Sequence, residues 1–239
     1  MKKTVGVIQS NYLPWKGYFD IIDRSDLFIF HDDLQYTKDD WRNRNKIKKA
    51  RGPAWITIPC GRNTNRLICD VNIEDQSWQK RHWNMIWTHY HQAPFFAKYH
   101  DFFRDFYLGR RWSNLSELNR YLIEHICREF LGNEHTAFAD SRTYDLHQSK
   151  GSRILELLQK VEATEYLSGP LAKQYLNEQM FATSRIALTW MDYSGYPEYP
   201  QFFPPFDHHV SIIDLLFHVG DQAQRFMKGR AWSQGLFSR

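Results

Sequence analysis

The sequence predicts an α/β protein with an open, mostly parallel, Rossmann-like sheet that carries an inserted helical subdomain. Three observations lead to this fold class. Short apolar segments alternate with amphipathic helical segments near both ends of the chain. The first of them form the pattern strand, short helix, strand, which is a βαβ unit with parallel strands and a right-handed crossover. Between the two ends, residues 77–132 show only helical periodicity.

The N-terminal unit begins with a buried strand at residues 3–9, KTVGVIQ, where β-branched residues precede a polar stop. Residues 15–25, WKGYFDIIDRS, have the spacing of an amphipathic helix. Residues 26–32, DLFIFHD, are apolar on both sides, as a central parallel strand would be. Residues 54–59, AWITIP, are predicted to form a further strand that Pro59 ends.

The middle of the chain is predicted to be helical. One helix begins at the cap Ser77 and stops before Pro94, and two more follow at residues 95–109 and 115–132, the last capped by Ser113. The α/β pattern then resumes. We therefore assign residues 1–76 and 133–239 to an α/β core with a ligand crevice, and residues 77–132 to a helical insertion.

The C-terminal part supplies the rest of this core. Residues 151–163 have the pattern of an amphipathic helix, residues 165–169 that of a short strand, and residues 185–193 that of a longer strand. A proline-rich aromatic loop covers residues 196–206. A closing helix follows, for which Ser211 is the predicted cap.

Composition narrows the class of protein. The chain has 239 residues, a net charge of +4 and 42% hydrophobic residues, which excludes a disordered chain. No apolar run approaches the roughly 20 residues of a membrane span, so no membrane insertion is expected. We find no signal peptide, and the three cysteines lack C-x-x-C spacing. Both features favour a cytoplasmic protein with reduced thiols.

The positive charge is concentrated between Arg42 and Arg51, with a second pair at Arg110 and Arg111. Such a patch binds either nucleic acid or the phosphates of a smaller anion. A dedicated nucleic-acid-binding protein usually carries more charge over a wider face. We therefore expect a phosphorylated small molecule and not nucleic acid.

The first β–α turn is the first candidate site. Ligands of doubly wound sheets bind outside the carboxyl ends of the strands, and this turn holds Gln9, Ser10, Asn11 and Tyr12. Amides at this position suit a polar ligand, so we predict that Gln9, Asn11 and Tyr12 contact substrate. In the alternative interpretation, the aromatic residues that follow are core and Gln9 only ends a strand.

The second candidate site follows the second strand, in the stretch HDDLQY. Paired carboxylates such as Asp32 and Asp33 hold a metal, take a proton or accept hydrogen bonds from sugar hydroxyls. Because the second strand lies beside the first, both turns are expected to face one crevice. We predict that Asp33 and Asp32 are catalytic and that Gln35 and Tyr36 bind substrate. No metal site is predicted.

The block WRNRN continues this loop. Arg42 and Arg44 are two residues apart, as are Asn43 and Asn45, so each pair would share a face of an extended segment. Guanidinium groups suit phosphate or carboxylate, and amides suit hydroxyls, so all four are predicted to bind substrate. A solvated charged loop is the alternative.

Two further positions complete the candidate site. Of the histidines, none of which has zinc-finger spacing, His82 is our candidate for an acid or base, although its aromatic-rich helix is equally consistent with packing. Ser168 and Gly169 end the strand EYLSG, where backbone N–H groups are able to hold a phosphate. A plain turn is the alternative there.

The segment around residues 9–26 is similar to nucleotidyltransferases with an H-x-G-H loop, in which strand, loop and apolar helix follow in the same order. Here Tyr18 stands in place of the second histidine, and Trp15 or Lys16 in place of the first. Those histidines stabilise charge on the transferring phosphate. The similarity therefore supports a nucleotidyltransferase-like fold and argues against the reaction.

Several stretches together resemble the WbqC-like family: IQSNYLPWKGYFDII, DLFIFHDDLQYTKDDWRNRNKIK, HWNMIWTHYHQAPFF, YLSGP and VSIIDLLF. The resemblance runs from residue 4 to about residue 220. It departs from the family pattern at one triplet, where Ile8 and Ser10 stand in place of the histidine and proline of His-Gln-Pro. Genes for such proteins occur among those for bacterial O-antigen and other surface polysaccharides, which implies an enzyme acting on sugar precursors.

Three functions are compatible with these patterns. The first is a transferase that acylates or aminoacylates an amino sugar linked to a nucleotide; its partners would be the nucleotide-linked sugar and an acyl carrier protein. No resident cofactor is predicted, and the group donor would be an acyl or aminoacyl thioester or a nucleotide. The second is a nucleotidyl or adenylyl transferase. The third is a non-catalytic binding module of the polysaccharide machinery.

Overall fold

The computed structural model describes residues 2–230 and shows a mixed α/β fold. Its strands are β1 (Thr4–Ile8), β2 (Leu27–Phe30), β3 (Arg44–Ile47), β4 (Ala54–Thr57), β5 (Ala137–Asp140), β6 (Glu165–Ser168) and β7 (Ala187–Trp190). Its helices are α1 (Lys16–Arg24), α2 (Ser77–Tyr90), α3 (Phe96–Arg104), α4 (Leu115–His125), α5 (Lys150–Lys160), α6 (Glu178–Thr183) and α7 (Ile212–Val219). No helix among the described residues is long and apolar enough to cross a bilayer.

The main sheet is open and all-parallel, with the strand order β5-β2-β1-β6-β7. The chain therefore builds outwards from β1 through β2 to β5, returns to the other side of β1 as β6, and ends at β7. This is the order of a Rossmann-like sheet, and it confirms the predicted fold class. The direction of winding reverses between β1 and β6.

Alternating side chains of the strands feed two hydrophobic layers, one on each face of the sheet. Val5, Val7 and Ile29 pack on the face that α5 and α6 cover. Phe28 and Phe30 point to the opposite face, where α1, the helices of the central segment and α7 form the larger core. Both faces are buried, which explains why β1 and β2 are apolar without an in–out alternation of polarity.

The central segment is helical, as its periodicity predicts, and it lies between β4 and β5 in the chain. Helices α3 and α4 each continue into a π-helical turn, over Asp105–Gly109 and Ile126–Phe130. The aromatic side chains of this segment belong to the same core as α1 and α7. The segment is therefore packed against the sheet as one of its covering layers.

The residues that cap the helices test the predictions made from local sequence patterns. Ser211 caps α7, as predicted, through a hydrogen bond of 3.4 Å from the N–H of Ile213. The cap of α4 is Asn114, which accepts a hydrogen bond from Glu117, and the prediction of Ser113 was wrong by one residue. The prediction of Ser77 as the cap of α2 was also wrong by one residue: Gln76 is at the cap position, and Ser77 is the first helical residue, whose N–H donates to the carboxylate of Asp75.

A separate antiparallel hairpin of β3 and β4 lies outside the main sheet. The predicted strand at residues 54–59 exists, but its partner is β3, which the sequence analysis treated as part of a loop. The short strand β5 and the helix α6 were also missed. Each has at most six residues, too few for a period to stand out from its surroundings.

Candidate functional site

The candidate site lies at the carboxyl edge of the sheet, where β1, β2 and β6 end. The turn after β1 and the loop after β2 are joined here by backbone contacts. The N–H of Ser10 donates to the Asp32 carboxylate at 2.7 Å, and the N–H of Tyr12 donates to the carbonyl of Trp41 at 2.9 Å. The two segments that the sequence predicted to face one crevice therefore lie against each other. The reversal of winding between β1 and β6 places this edge where ligands of such sheets bind.

Asp32 is a structural link between the loops. Its side chain is almost completely buried, at 1% exposure, and its carboxylate accepts hydrogen bonds from Ser10 and from the hydroxyl of Ser116 at the start of α4. Burial raises the pKa of Asp32, while the hydrogen bonds from Ser116 and Ser10 act in the opposite direction. This geometry corrects the prediction that Asp32 is catalytic, because the carboxylate is almost completely buried and holds the two loops together.

Asp33 is placed differently from its neighbour. Its carboxylate is partly exposed, pairs with the guanidinium of Arg153 on α5, and accepts a hydrogen bond from the hydroxyl of Ser141 after β5. The Nε2 atom of His31 is 3.7 Å from the Asp33 Oδ1 atom. A polar cluster of His31, Asp33, Ser141 and Arg153 therefore lies across the ends of β2 and β5.

His31 is the uncharged member of this cluster. Its Nε2 atom accepts a hydrogen bond of 3.3 Å from Arg153, so the ring proton is on Nδ1. Burial lowers the pKa of His31 to about 4; Asp33 opposes the shift and Arg153 adds to it. His31 was not predicted as a site residue, although it directly precedes the aspartate pair, and no local pattern indicated Arg153 or Ser141.

The turn after β1 presents polar atoms towards the same edge. Gln9 is half-buried, and its carbonyl accepts a hydrogen bond of 3.0 Å from the Tyr18 hydroxyl. Asn11 is also half-buried, and its side-chain oxygen is inaccessible to solvent and has no hydrogen-bond partner among the described residues. A buried oxygen without a donor is uncommon in a folded protein. It fits a ligand that brings a donor to Asn11.

The end of β6 closes the other side of this edge. Ser168 is buried, and its carbonyl binds the N–H of Met191 at 2.8 Å. Gly169 is half-buried, and a Cβ atom at this position would come within 3.5 Å of the Tyr193 hydroxyl. After it, Leu171 and Tyr175 are 77% and 64% exposed, so the segment that follows β6 presents an apolar surface at the crevice.

Arg42 is the cation of the crevice. Its side chain is 15% exposed, with Nη1 at 3.2 Å from the Asp40 carboxylate, and its carbonyl is held by Asn119. The buried Nε of Arg42 has no hydrogen-bond partner among the described residues. Burial raises the pKa of Tyr175, and the charge of Arg42 opposes that shift. Arg42 therefore lies on the side of the β6 loop and has a donor to offer.

Arg44 does not share a face with Arg42, which corrects the prediction for this pair. Strand β3 begins at Arg44, whereas Arg42 is in the turn before it. The guanidinium of Arg44 lies 4.3 Å from the ring centre of Trp55, and its Nη1 is 3.7 Å from the carboxylate of Asp39. The two guanidinium groups therefore pair with different carboxylates, Asp40 for Arg42 and Asp39 for Arg44.

The asparagines of the WRNRN block are internal. Asn45 donates to the carbonyls of Tyr12 and Leu13, at 3.1 and 2.7 Å, and so attaches the turn after β1 to the hairpin. Asn43 is also buried and donates to the carbonyl of Ile58. Both were predicted to bind substrate, and both instead position the backbone of the loops.

Three other predicted residues also lie away from the crevice. Tyr12 is completely buried, with its hydroxyl at 2.9 Å from the Nδ1 atom of His82 and beside the hydroxyl of Tyr107. Tyr36 is buried below the Arg66 guanidinium, and burial raises its pKa. Gln35 is exposed and donates to the carbonyl of Thr64 at 3.3 Å. The predicted substrate contacts of Tyr12 and Tyr36 are corrected because neither side chain reaches solvent.

His82 is enclosed by aromatic rings on α2 and its neighbours. Only 3% of its surface is exposed, its Nε2 donates to the carbonyl of Thr57 at 3.2 Å, and its Nδ1 accepts from the Tyr12 hydroxyl at 2.9 Å. Burial lowers the pKa of His82 to about 3. Both nitrogens are occupied, so the packing interpretation holds and the predicted role as acid or base is not retained.

This burial gives a testable dependence of stability on pH. The folded pKa of about 3 is below the unfolded value of 6.5, so the unfolded chain takes up the proton first as pH falls. The contribution of neutral His82 is complete above pH 6.5 and declines below it, by about 2 kcal/mol from pH 7 to pH 5. His82→Gln removes this loss. The difference in free energy of unfolding between the wild type and His82→Gln, measured by urea unfolding, is therefore expected to shrink by that amount from pH 7 to pH 5.

The control for this comparison is His147→Gln, because the side chain of His147 is 70% exposed. Its stability is expected to follow the wild type at both pH values. A gap between wild type and His82→Gln that stays constant from pH 7 to pH 5 would contradict the assignment.

Two further observations on the described residues concern groups that could bind a metal ion and a second cavity. Residues 2–230 hold no group of three or more His, Cys, Asp or Glu side chains arranged to bind a metal ion. A cavity of about 350 Å³ lies at the opposite, amino edge of the sheet, between residues such as Lys2, Thr4, Arg24 and Glu165. It is distant from the turns after β1 and β2, and the order of the strands favours the carboxyl edge as the ligand site.

Comparison with known proteins shows the family to which the chain belongs. The model of the WbqC-like protein family matches residues 9–226, which is nearly the whole chain. The chain belongs to the WbqC-like protein family. A relative from Mycobacterium tuberculosis (strain ATCC 25618 / H37Rv) is 44% identical over 229 residues, which cover 95% of this chain and 98% of the relative.

The family match includes every part of the crevice described above, from the turn after β1 to α7. The Mycobacterium relative is described as an uncharacterized protein. No solved structure matches the chain.

Proposed function

We propose that this protein is a cytoplasmic transferase that modifies a nucleotide-linked sugar of bacterial surface polysaccharide synthesis, by N-acylation or aminoacylation of an amino sugar. One observation carries the proposal. The carboxyl edge of the sheet carries a guanidinium with an unpartnered donor, Arg42, on the side of the β6 loop, and a partly exposed carboxylate, Asp33, at the ends of β2 and β5. A diphosphate needs the first group, and an attacking amine needs the second.

Binding of the nucleotide-linked sugar would use the polar atoms between β1 and β6. Arg42 would bind the diphosphate, for which its planar guanidinium suits two phosphate oxygens. The unpartnered oxygen of Asn11 would accept a hydrogen bond from a sugar hydroxyl or amine. The amide of Gln9 and the backbone at Ser168 and Gly169 would line the remaining walls.

The reaction would be attack of the sugar amine on an acyl or aminoacyl thioester. The amine nitrogen forms a bond to the carbonyl carbon, the carbon–sulfur bond breaks, and the thiolate leaves. The nitrogen that has attacked is cationic and loses its proton readily, so a weak base such as Asp33 suffices. Arg153 and Ser141 would hold Asp33 in place, and His31, being neutral, adds no competing positive charge.

The donor would approach from the exposed apolar surface that follows β6. Leu171 and Tyr175 are both largely exposed there, and no described residue covers them. This surface suits the acyl chain of a thioester or a region of an acyl carrier protein. A nucleotide-activated aminoacyl donor is compatible with the same entrance.

Nucleotidyl or adenylyl transfer is the second candidate, favoured by the Rossmann-like order of the strands. In such enzymes histidines stabilise the transferring phosphate, and Trp15, Lys16 and Tyr18 stand at the corresponding positions here. Consumption of ATP with release of pyrophosphate would support this candidate over acyl transfer. A non-catalytic module would show neither reaction.

The test is incubation with UDP- and dTDP-linked amino sugars and with acyl and aminoacyl thioesters, read by mass spectrometry. We expect one pairing to give a nucleotide sugar heavier by the acyl or aminoacyl group. Arg42→Met should then raise the KM for the nucleotide sugar about 10- to 100-fold, the value of a charge-assisted hydrogen bond of about 1.5–3 kcal/mol. The KM for the thioester should change much less.

Arg185→Met is the matched control, because Arg185 is exposed in the turn between α6 and β7. That turn precedes β7 and is therefore at the amino edge of the sheet. Its kinetics are expected to equal those of the wild type. A folded wild-type protein that binds no nucleotide sugar of the panel and forms no product would contradict the proposed function.

A further inference from the structure

The outer face of the β3–β4 hairpin carries a cluster of aromatic and basic side chains. Trp41 and Trp55 are each 41% exposed, and their ring centres are 5.3 Å apart at an angle of 45°. Arg44 and Lys46 alternate along β3 on the same side as Trp55, which pairs with Lys46 across the hairpin. We call these four residues the tryptophan face.

The inner side of the same hairpin is buried, which fixes the orientation of the outer one. Asn45, Ile47 and Ile56 are between 0% and 2% exposed and pack towards the core. The alternation of a two-stranded ribbon then directs Arg44, Lys46 and Trp55 outwards. Two large rings left half-exposed beside each other, Trp55 on the hairpin and Trp41 in the turn before it, are typical of a binding surface and not of a core.

The charge around this surface is predominantly positive. Residues 38–51 contain seven basic and two acidic residues, a net charge of +5, whereas the whole chain has +4. The guanidinium of Arg44 and the ammonium of Lys46 lie 4.3 and 5.0 Å from the Trp55 ring centre. Arg44 has the half-exposed carboxylate of Asp39 at 3.7 Å, and Lys46 has no carboxylate within 4.0 Å among residues 2–230.

The tryptophan face is continuous with the crevice. The carbonyl of Trp41 holds the N–H of Tyr12 in the turn after β1, and Arg42 follows Trp41 directly. Asn45 fastens the hairpin to the same turn. A ligand that extends from Arg42 over the hairpin would therefore contact adjoining segments of the chain along its whole length.

We propose that the tryptophan face binds the nucleoside part of the nucleotide-linked sugar: the base stacks on Trp41 and Trp55, and Arg44 and Lys46 balance the charge of the diphosphate that leads to Arg42. This inference rests on the proposed function. Aromatic faces stack any base, and adjacent cations favour an anionic ligand over a neutral sugar. A nucleoside diphosphate combines both properties in one small molecule.

The test is titration calorimetry of the full chain with UDP, dTDP, uridine, pyrophosphate and a single-stranded RNA oligonucleotide. Trp41→Ala and Trp55→Ala are each expected to weaken UDP binding at least about fivefold, because stacking of a base is worth about 1–3 kcal/mol. Pyrophosphate binding should be unchanged in these two variants. Lys46→Met should weaken UDP and pyrophosphate and leave uridine unaffected.

Trp87→Ala is the matched control, because Trp87 is 44% exposed on α2, away from the hairpin, and stacks on His91. It should bind UDP as the wild type does. Circular dichroism establishes that each variant is folded, and Lys46→Met tests the face by itself if a tryptophan variant is unfolded.

The outcomes separate this inference from the proposed function. UDP binding that is equal in the wild type and both hairpin tryptophan variants, but weakened in Arg42→Met, overturns the tryptophan face and leaves the transferase proposal standing. Absence of UDP and dTDP binding to the wild type overturns both. Tighter, tryptophan-dependent binding of a single-stranded RNA oligonucleotide than of UDP would make the face a nucleic-acid surface and overturn the inference.

Discussion

Replacement of Asp33 by asparagine is expected to lower kcat for acyl transfer about 100-fold or more, which is the usual contribution of a positioned general base. Asparagine keeps the size of the side chain and accepts from Ser141, but it cannot take the proton of the attacking amine. The protein should stay folded, since this carboxylate is partly exposed and lies at the ends of β2 and β5. The KM for the nucleotide sugar should change little.

The control is Asp145→Asn, at a carboxylate that is 86% exposed. Its kcat is expected to equal that of the wild type. If no acyl transfer were detected, and Asp33→Asn retained the full biological activity while charge reversals between Lys46 and Arg51 abolished it, the non-catalytic binding module would be the better account.

Replacement of the adjacent Asp32 by alanine should have the opposite character: a loss of stability of about 3 kcal/mol or more. The change leaves the N–H of Ser10 and the hydroxyl of Ser116 buried without an acceptor. It also detaches the turn after β1 from the loop after β2. Urea unfolding of Asp32→Ala, beside Asp33→Ala, measures the difference.

Asp33→Ala should cost less stability, because the side chain of Arg153 is 18% exposed and its guanidinium regains water when its partner is removed, so that only Ser141 is left buried without its acceptor. An equal loss of stability in the two alanine variants would contradict the division of roles. Full stability of Asp32→Ala would contradict the assignment of Asp32 as the link between the loops.

The sequence was sufficient to predict β1, β2, β6 and β7 of the main sheet, but not its edge strand β5 or the separate hairpin. β1 and β2 were predictable because their apolar runs are flanked by polar turns, and the βαβ pattern made them parallel neighbours. The position of the crevice follows from this, since the turns after adjacent parallel strands share an edge. The pairing of β3 with β4 was not predictable from alternating polar residues in RNKI.

Roles within the loops depended on contacts between residues far apart in the chain. Asp33 meets Arg153 across 120 positions, and Asp32 meets Ser116 across 84, so no local pattern distinguishes the two carboxylates. Asn45 had the chemistry of a ligand contact, but a buried amide also satisfies backbone carbonyls, and the fold uses it for that. His82 is buried in the core because the aromatic residues of its own helix pack around it.

The most direct measurement is a crystal structure of the protein soaked with a UDP-linked amino sugar. Our account predicts the diphosphate at Arg42, with the amine near Asp33 at the carboxyl edge of the sheet. A nucleotide sugar bound instead in the cavity at the amino edge, beside Lys2 and Arg24, would contradict it.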